Sequence, residues 1–375
     1  MAEAAVGLRT SDFAYPLPPE LIAQVPPAVR GESRLLVVRR TGGQTDGRTD
    51  GRADGRNLIQ ENVTVRLSAC PPFEHRHFAD LPDLIPSGDL LVLNSTRVRH
   101  ARLLGRRPSG APAEVLLIHP AESGGWIAMG RPGSALRPGR RIELGDGIGV
   151  EVLEALDEGF RRVRIVGASA EEAMSRLGRL PLPPYIAREP TPDDDIRYQT
   201  VFAEREGSVA APTAGLHFTP ELLETLEGRG VRIARLDLEV GPGTFKPVEE
   251  EDFVRHRMHA ERFEIPAAAA AAIAEARERG TAVWAVGTTV VRALESAARA
   301  DGRVGAGRGE TRLMIAPGYR FRVVDRLITN FHLPRSTLLM LVAAFAGYEA
   351  TMAAYAEAVA RRYRFYSYGD AMAVV

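Results

Sequence analysis

The stretch Ala210–Phe245 reads A-A-P-T-A-G-L-H-F-T-P-E-L-L-E-T-L-E-G-R-G-V-R-I-A-R-L-D-L-E-V-G-P-G-T-F, and it decides the fold. Thr219 suits a helix N-cap, Pro220 suits the first helical position, and Gly228 predicts where that helix ends. The alternating apolar residues of 231–240 then predict a strand. A helix–strand unit between two glycine-containing loops indicates an α/β fold, which binds ligands at the carboxyl ends of its strands. Glycine loops alone are equally compatible with ordinary turns.

The composition is that of a neutral globular protein. Its 375 residues are 45% hydrophobic, which is enough for one large or two ordinary domains. With a net charge of +0, only a local patch could hold a polyanion. The single cysteine, Cys70, excludes an internal disulfide framework and a CxxC metal site. The N-terminus lacks a signal-peptide core, and the longest apolar run, Leu338–Ala346, is much shorter than the roughly 20 residues that span a bilayer. We therefore expect a cytoplasmic protein without membrane contact.

The distribution of strands and helices predicts two domains. Between Ala101 and Val166, short strands alternate with glycine and proline turns and no helix intervenes, which is typical of a small all-β barrel. Residues 1–100 and 167–375 are predicted to form the α/β domain that carries this insertion. Within them, residues 41–76 contain the repeat T-D-G-R-T-D-G-R-A-D-G-R, which offers no apolar face to bury. We expect 41–76 to be a flexible insertion.

A second candidate ligand site follows the predicted strand Thr281–Val286. There the loop G-T-T (Gly287, Thr288 and Thr289) precedes a predicted helix. Backbone N–H groups at a helix N-terminus bind anions or polar ligands. The pattern is neither a Walker motif nor G-x-G-x-x-G, so it does not indicate nucleotide phosphates.

The histidines admit two kinds of chemistry. His256 and His259 lie in H-R-M-H, with Glu261 close behind, and on a helix they could bind zinc together with His217 or His332. We expect no metal, because H-E-x-x-H is absent and the following E-R-F-E-I is typical of a strand. Acid–base catalysis is the alternative, since an unperturbed imidazole titrates near neutral pH. A structural role in the core or in a turn stays open for each.

Arginines cluster in and beside the predicted barrel. Guanidinium groups suit phosphate contacts, so a local strip of them could hold an RNA backbone in spite of the neutral net charge. A solvated surface is an equally open alternative. The cluster comprises Arg97, Arg99, Arg102, Arg106, Arg107, Arg131, Arg137, Arg140 and Arg141.

A series of long motifs follows the order of one known family. They are D-F-A-Y-P-L-P-P-E-L-I-A-Q, P-L-P-P-Y-I, R-Y-Q-T-V-F-A, G-S-V-A-A-P-T-A-G-L-H-F-T, G-T-F-K-P-V, H-R-M-H-A-E, A-V-G-T-T-V-V-R-A-L-E-S-A, T-N-F-H-L-P-R-S-T-L-L-M-L-V-A-A-F-A-G and Y-R-F-Y-S-Y-G-D-A-M. The chain resembles the S-adenosylmethionine:tRNA ribosyltransferase-isomerases of queuosine biosynthesis. The resemblance covers nearly everything except the first residues and 41–76.

The resemblance implies both a fold and a reaction. The fold is an α/β domain related to a partial barrel, with an inserted β-barrel. The reaction transfers and isomerises the ribosyl moiety of S-adenosylmethionine onto 7-aminomethyl-7-deazaguanine at the tRNA wobble position. Epoxyqueuosine forms, and adenine and methionine leave. S-adenosylmethionine is a co-substrate, no prosthetic group or metal is needed, and we expect a monomer.

The resemblance also implies where the chemistry occurs. A base removes the ribose 5′ proton beside the sulfonium, adenine leaves, the tRNA amine attacks the 1′ carbon, and epoxide closure expels methionine. We expect His217 or His259 to transfer protons, and Glu261 to balance the sulfonium or polarise a histidine. The expected substrate-binding residues are Asn94, Thr96, Arg97, Thr213, Gly215, Gly241, Gly243, Thr244, Phe245, Gly287, Thr288, Thr289, Asn330, His332 and Asp370.

Three places depart from the family pattern. The family usually has Asn or Asp at Ser95, Ile-Pro at Arg99-His100, and commonly His at Glu239. A carboxylate at position 239 would reverse the charge that a substrate could meet there. Two alternatives therefore stay open, a paralogue that uses the same donor with a different acceptor and an RNA-binding accessory that has lost catalysis.

Overall fold

The computed structural model describes residues 7–40, 73–241, 248 and 250–375. Its strands are β1 Arg34–Val38, β2 Glu74–His77, β3 Leu90–Asn94, β4 Thr96–Val98, β5 Arg102–Arg106, β6 Pro112–Pro120, β7 Trp126–Arg131, β8 Arg141–Gly145, β9 Ile148–Ala155, β10 Arg161–Val166, β11 Gly178–Arg179, β12 Arg205–Ser208, β13 Arg232–Leu238, β14 Glu261–Ile265, β15 Val283–Val286, β16 Gly307–Thr311, β17 Arg326–Asn330 and β18 Ala371–Val374.

Helices connect these strands. The α-helices are α1 Ala170–Leu177, α2 Pro192–Arg197, α3 Pro220–Gly228, α4 Ala267–Arg279, α5 Thr288–Ala297, α6 Thr337–Ala346 and α7 Tyr348–Ala360. Short 3₁₀ helices occur at Thr10–Phe13, Pro19–Leu21, Phe78–Asp83, Gly133–Leu136, Asp157–Gly159, Thr213–His217 and Phe253–Arg255.

A nine-stranded mixed sheet forms the centre of the α/β part, in the order β16-β14-β13-β3-β15-β17-β18-β1-β2. Strands β13, β3, β15 and β17 are parallel neighbours, and β1 is parallel to β18. The remaining pairs in this sheet are antiparallel. The predicted α/β class is confirmed, with a mixed central sheet.

The central strands are apolar along their length because helices cover both faces of the sheet. Successive side chains of a strand point to opposite faces, so Leu90 and Val92 of β3 enter one core cluster while Leu91 and Leu93 enter another. Helices α4 to α7 contribute to the first cluster. Helix α3 and the 3₁₀ helix Phe78–Asp83 contribute to the second.

A separate antiparallel sheet of seven strands has the order β11-β5-β6-β7-β10-β9-β8. Strands β5 and β8 also pair, at Arg106 and Glu143, so the sheet nearly closes into a ring. Its interior is a third apolar cluster. The sheet extends beyond the boundary predicted at Val166, because α1 leads into β11, which pairs with β5.

The opening helix–strand unit forms as predicted. Helix α3 occupies Pro220–Gly228, the Thr219 side chain accepts a hydrogen bond from the Leu222 N–H, and β13 follows. The predicted insertion differs at its end. Residues 41–72 lie outside the described residues, whereas Glu74–His77 form strand β2 and pair with β1. The alternating pattern of Glu74–His77 is half exposed, which hid this edge strand from a search for apolar runs.

Within the described ranges, no single helix is long and apolar enough to cross a membrane. Helices α6 and α7 reach that length only when they are joined, and they bend by 116° at the break between them.

One buried carboxylate, that of Glu295, fixes the segment of chain that leads into β17. Glu295 of α5 accepts hydrogen bonds from the N–H groups of Arg322, Val323 and Val324 at 2.9, 3.0 and 3.1 Å. The Tyr319 hydroxyl donates to the same carboxylate at 3.2 Å. Glu295 lies in the A-L-E-S-A motif, so these hydrogen bonds give this motif residue a structural role.

We expect Glu295→Ala to lower the free energy of unfolding by about 3 kcal/mol, because it leaves several buried N–H groups without an acceptor. The matched control is Glu275→Ala. Glu275 is 41% exposed and pairs with Arg232 and Arg279, so its loss should cost less than about 1 kcal/mol. Urea unfolding curves measure both, and equal losses would contradict the structural role of Glu295.

Candidate functional site

A cleft opens at the carboxyl edge of the parallel strands. It is lined by Val240 beyond β13, by 287–289 after β15, and by 329–333 where β17 ends. Parallel strands bring such segments to one edge, where α/β folds bind ligands. Segment 211–214 and Tyr366 are among the residues that complete the lining.

The N-terminus of α5 forms one wall of this cleft. Gly287 precedes the helix with φ of 93°, a left-handed conformation that favours glycine, and its N–H donates to the Ile328 carbonyl at 2.7 Å. Thr288 and Thr289 begin the helix and line the cleft. The first N–H groups of a helix have no acceptor within it, so this wall presents donors and the positive end of the helix dipole.

Three polar atoms of the cleft residues lack hydrogen-bond partners. They are Thr289 Oγ1, Asn330 Oδ1 and the Tyr366 hydroxyl, and all three are buried. Buried polar groups in folded proteins are almost always hydrogen-bonded, because an unsatisfied group costs free energy. All three residues line the same cleft, so a polar ligand bound there could supply the missing hydrogen-bond partners.

Two buried histidines lie at this cleft: His332 is in its lining, and His217 lies behind the lining residue Asn330. Behind it, His217 Nδ1 lies 2.8 Å from Ser33 Oγ, and its Nε2 lies 3.1 Å from Asn330 Nδ2. His332 is in the lining, and its Nε2 lies 2.8 Å from Thr329 Oγ1. Burial lowers the pKa of His217 to about 4 and that of His332 to about 3. Both are therefore neutral at physiological pH.

The cleft brings together part of the predicted substrate-binding set. The predicted residues that line it are Thr213, Gly287, Thr288, Thr289, Asn330 and His332. Gly243, Thr244 and Phe245 lie outside the described residues.

The structure places Asn94, Thr96 and Arg97 away from the cleft lining, in hydrogen bonds to the chain itself. Asn94 Oδ1 accepts from the Leu238 N–H at 3.0 Å, and Asn94 Nδ2 donates to the Leu238 carbonyl at 3.1 Å. Thr96 Oγ1 lies 2.9 Å from Ser208 Oγ. Arg97 donates to the Ala203 carbonyl at 2.9 Å. These bonds join β3 and β4 to β13 and β12.

Gly215, Gly241 and Asp370 also lie outside this cleft lining. A Cβ on Gly215 would come within 2.8 Å of the Phe202 and Thr200 side chains, so close packing explains this glycine. The Gly241 N–H is 3.5 Å from Glu261 Oε1.

Asp370 anchors the start of β1. Its Oδ1 accepts from the Arg34 N–H at 2.9 Å, and its Oδ2 accepts from the Arg34 guanidinium at 2.8 Å. The Arg364 N–H donates to Oδ2 at 2.8 Å. Because several donors converge on this carboxylate, Asp370 has a structural role: it joins the N-terminal part of the chain at Arg34 to the C-terminal part at Arg364.

Glu261 and His259 are likewise placed elsewhere. Glu261 forms an ion pair with Arg292 of α5, and both side chains are only 4% exposed. His259 Nδ1 lies 2.5 Å from Glu158 Oε2, in the 3₁₀ turn between β9 and β10, and its ring packs edge-on against Phe160. Neither residue is in the cleft lining, so the three predicted catalytic side chains do not converge at this cleft.

The two histidines of H-R-M-H have different partners. His256 Nδ1 lies 2.9 Å from Glu250 Oε2, while His259 pairs with Glu158. Among the described residues, no group of three or more His, Cys, Asp or Glu side chains is arranged to hold a metal ion.

Sequence reasoning missed the aromatic side of the cleft. The rings of Tyr185 and Tyr366 stack with centroids 4.5 Å apart, and the Tyr185 hydroxyl lies 2.6 Å from Ser367 Oγ. Tyr366 has φ of 69°, which is uncommon for an aromatic residue. Both tyrosines lie in motifs that support the family resemblance, but only the folded chain brings segments so far apart in sequence together.

The three departures lie outside this cleft lining. Ser95 Oγ donates to Asp237 Oδ1 at 3.1 Å, within the β3–β13 pair. His100 Nε2 is 2.9 Å from Asp195 Oδ1. The Glu239 carboxylate pairs with Arg262 at 2.9 Å.

The arginine cluster is divided between internal contacts and solvent. Arg102 pairs with Glu114 and Glu189, and Arg141 pairs with Glu143. Arg97, Arg99 and Arg106 donate to backbone carbonyls. The exposed members that remain for a polyanion include Arg131, Arg137 and Arg140.

Comparison with known proteins identifies the family of this chain. A family model described as queuosine biosynthesis protein matches residues 10–54 and 54–374. The chain belongs to this family. The resemblance expected from the motifs is thereby confirmed.

Similar proteins of the queuosine family cover almost the whole chain. The chain is 50% identical over 370 residues to the S-adenosylmethionine:tRNA ribosyltransferase-isomerase of Anaeromyxobacter dehalogenans (strain 2CP-C), covering 97% of this chain and 99% of that protein. It is 50% identical over 365 residues to the enzyme of the same name from Thiobacillus denitrificans, covering 97% of each. A crystal structure of S-adenosylmethionine tRNA ribosyltransferase from Thermotoga maritima is similar with a TM-score of 0.52 and 35% identity, covering 97% of this chain and 100% of that one.

The neutral histidines make the stability of this queuosine-family protein depend on pH. The folded pKa of His332, about 3, is below the unfolded value of about 6.5, so the unfolded state binds more protons between these values. The free energy of unfolding should therefore fall as the pH falls through this window. From pH 6 to pH 5 we expect His332 to contribute a decrease of about 1 kcal/mol, which His332→Gln removes.

The measurement is urea unfolding at both pH values. His100→Gln is the control for the substitution itself, because it makes the same change at a side chain that is 43% exposed. An identical decrease in wild type and His332→Gln would show that His332 is not held neutral by burial.

Proposed function

We propose that this queuosine-family protein is an S-adenosylmethionine:tRNA ribosyltransferase-isomerase. It transfers and isomerises the ribosyl moiety of S-adenosylmethionine onto 7-aminomethyl-7-deazaguanine in tRNA. The product is epoxyqueuosine-tRNA, and adenine and methionine are released. Near-complete coverage of relatives with this name supports the proposal.

One observation supports the cleft as the substrate-binding site. Three residues of its lining have buried polar atoms without hydrogen-bond partners, namely Thr289 Oγ1, Asn330 Oδ1 and the Tyr366 hydroxyl. S-adenosylmethionine offers matching groups, namely ribose hydroxyls, the adenine amino group and the charged methionine tail. The N–H donors at the start of α5 suit the carboxylate of that tail. Thr213 and His332 complete the proposed binding set from the predicted residues.

The charge of the cleft suits the first chemical step. No described residue in its lining is Asp, Glu, Lys or Arg. Removal of the ribose 5′ proton converts the sulfonium cation into a neutral ylide. A partly desolvated site without a compensating carboxylate disfavours the cation more than the ylide, so it lowers the cost of this step.

The proton-transfer groups remain a proposal. His217, His259 and Glu261 are the candidates from the sequence, and His332 is an imidazole in the described lining that is neutral at physiological pH. Glu261 would act through its buried pair with Arg292, beside the Gly241 N–H.

We also infer several finer features. The antiparallel sheet would be an inserted barrel domain, and the α/β part would be related to a partial barrel. The enzyme would need no prosthetic group, and it would act as a monomer in the cytoplasm, where tRNA is modified.

The decisive measurement is adenine release from S-adenosylmethionine, with and without tRNA that carries 7-aminomethyl-7-deazaguanine. We expect release only with the modified tRNA, because the amine must capture the ribose 1′ carbon. The same tRNA without the modified base is the control. Release with both would indicate a different acceptor, as in a paralogue, and no release from folded protein would indicate an RNA-binding accessory.

Thr289→Val tests the place of the reaction. Valine keeps the shape of threonine but removes the unpartnered Oγ1, so we expect kcat/KM for S-adenosylmethionine to fall about tenfold through one lost hydrogen bond. The control is Thr225→Val on α3, where the exposed hydroxyl donates to the Glu221 carbonyl. Equal activity of the two variants would place substrate binding outside this cleft.

A further inference from the structure

The orientation of the Asn330 side chain is determined by its surroundings. Asn330 ends β17 and is 2% exposed. Its Nδ2 lies 3.0 Å from the Tyr366 carbonyl oxygen and 3.1 Å from His217 Nε2. A carbonyl oxygen only accepts hydrogen bonds, so the amide NH₂ group must face Tyr366, and Oδ1 must take the other position.

This orientation determines the tautomer of His217. Because the Asn330 NH₂ group can only donate, His217 Nε2 must accept, and it therefore carries no proton. The imidazole proton is on Nδ1, which donates to Ser33 Oγ at 2.8 Å. Ser33 is 3% exposed, and the imidazole stacks on the Phe78 ring with centroids 4.9 Å apart. The hydrogen bonds therefore run in one direction: Asn330 donates to His217, and His217 donates to Ser33.

Protonation of His217 would break this chain, since an Nε2–H would face the Asn330 NH₂ group. Burial opposes that protonation and lowers the pKa of His217 to about 4. The charged groups that act on His217 are Asp370, which favours protonation, and Arg30 and Arg364, which oppose it.

The backbone at Tyr366 contributes to the same arrangement. Its N–H donates to the Phe331 carbonyl at 3.1 Å, and its carbonyl accepts from Asn330. The residue adopts φ of 69°, so the chain maintains an unfavourable conformation at the point where it contacts Asn330.

We infer that His217 is a positioning residue, which holds Asn330 so that its unpartnered Oδ1 binds a donor or cationic group of the substrate in the cleft. The inference rests on the proposed function, in which that substrate is S-adenosylmethionine. An amide oxygen suits its ribose hydroxyls, its amino groups or its sulfonium. Asn330 lines the cleft and His217 does not, so His217 acts through Asn330.

Positioning and proton transfer by His217 make opposite predictions for His217→Gln. The glutamine Oε1 can occupy the place of Nε2 and accept from Asn330, but an amide does not transfer protons at neutral pH. We expect His217→Ala to lower kcat/KM for adenine release by roughly tenfold to a hundredfold, as for a lost hydrogen bond to a buried group. His217→Gln should recover most of the kcat/KM that His217→Ala loses. Between pH 6 and 8, the activity of His217→Gln should have the same pH dependence as that of the wild-type enzyme. A His217→Gln enzyme as slow as His217→Ala would overturn the inference.

A double-mutant cycle separates the two roles further. If His217 acts through Asn330, His217→Ala should cost less than about twofold in an Asn330→Ala background, because the coupled effects are not additive. A full additional loss in that background would contradict the inference.

The tautomer can be read without any activity, so failure of the proposed function would not prevent this test. Nitrogen-15 NMR of histidine rings in the full chain should show an unprotonated His217 Nε2 and a protonated Nδ1 from pH 5.5 to 8. Asn330→Ala should change the Nε2 signal, and Ser33→Ala should change the Nδ1 signal. A protonated Nε2 in the wild type would refute the positioning role.

Discussion

Parallel pairing of β3 with β13 on one side and β15 on the other is the constraint on which the rest of the structure depends. Once these strands and β17 run in the same direction, the chain must leave each of them at the same edge of the sheet. The segments that follow β13, β15 and β17 therefore line one cleft. The pairing also buries β3 on both faces, because helices must cross the sheet to connect parallel strands.

Many polar side chains near this edge do not line the cleft but hold together the elements that form it. Asn94 bonds both its amide nitrogen and its oxygen to Leu238, and Asp370 joins Arg34 to the segment before β18. Glu261 and Arg292 form a buried pair between β14 and α5. Such groups are costly to bury unless each finds its partner, so they specify how the elements fit together. A residue in a specific motif can therefore serve the substrate indirectly, by keeping the edge of the sheet in place.

The predictable parts of the fold were those with strong local signals. The N-cap at Thr219 with Pro220 and the alternating apolar residues of β13 each involve neighbouring residues only. Features that depend on pairing with distant strands were not predicted. Strand β2 is half exposed at the sheet edge, and β11 has two residues whose place depends on pairing with β5. Of the candidate site, the G-T-T loop could be found from the sequence because a glycine before a helix is a local signal.

By itself, the sequence determined the α/β class, the separate antiparallel sheet, the family and some of the segments that line the cleft, because periodicity, caps and long motifs are encoded over short distances. Only the tertiary structure decided which of the candidate side chains face one another. It placed His217 behind Asn330, paired His259 with Glu158, and stacked Tyr185 on Tyr366. The physical reason is that hydrogen-bond partners and burial are set by strand order and packing between residues far apart in the chain, and a single sequence carries no direct record of those contacts.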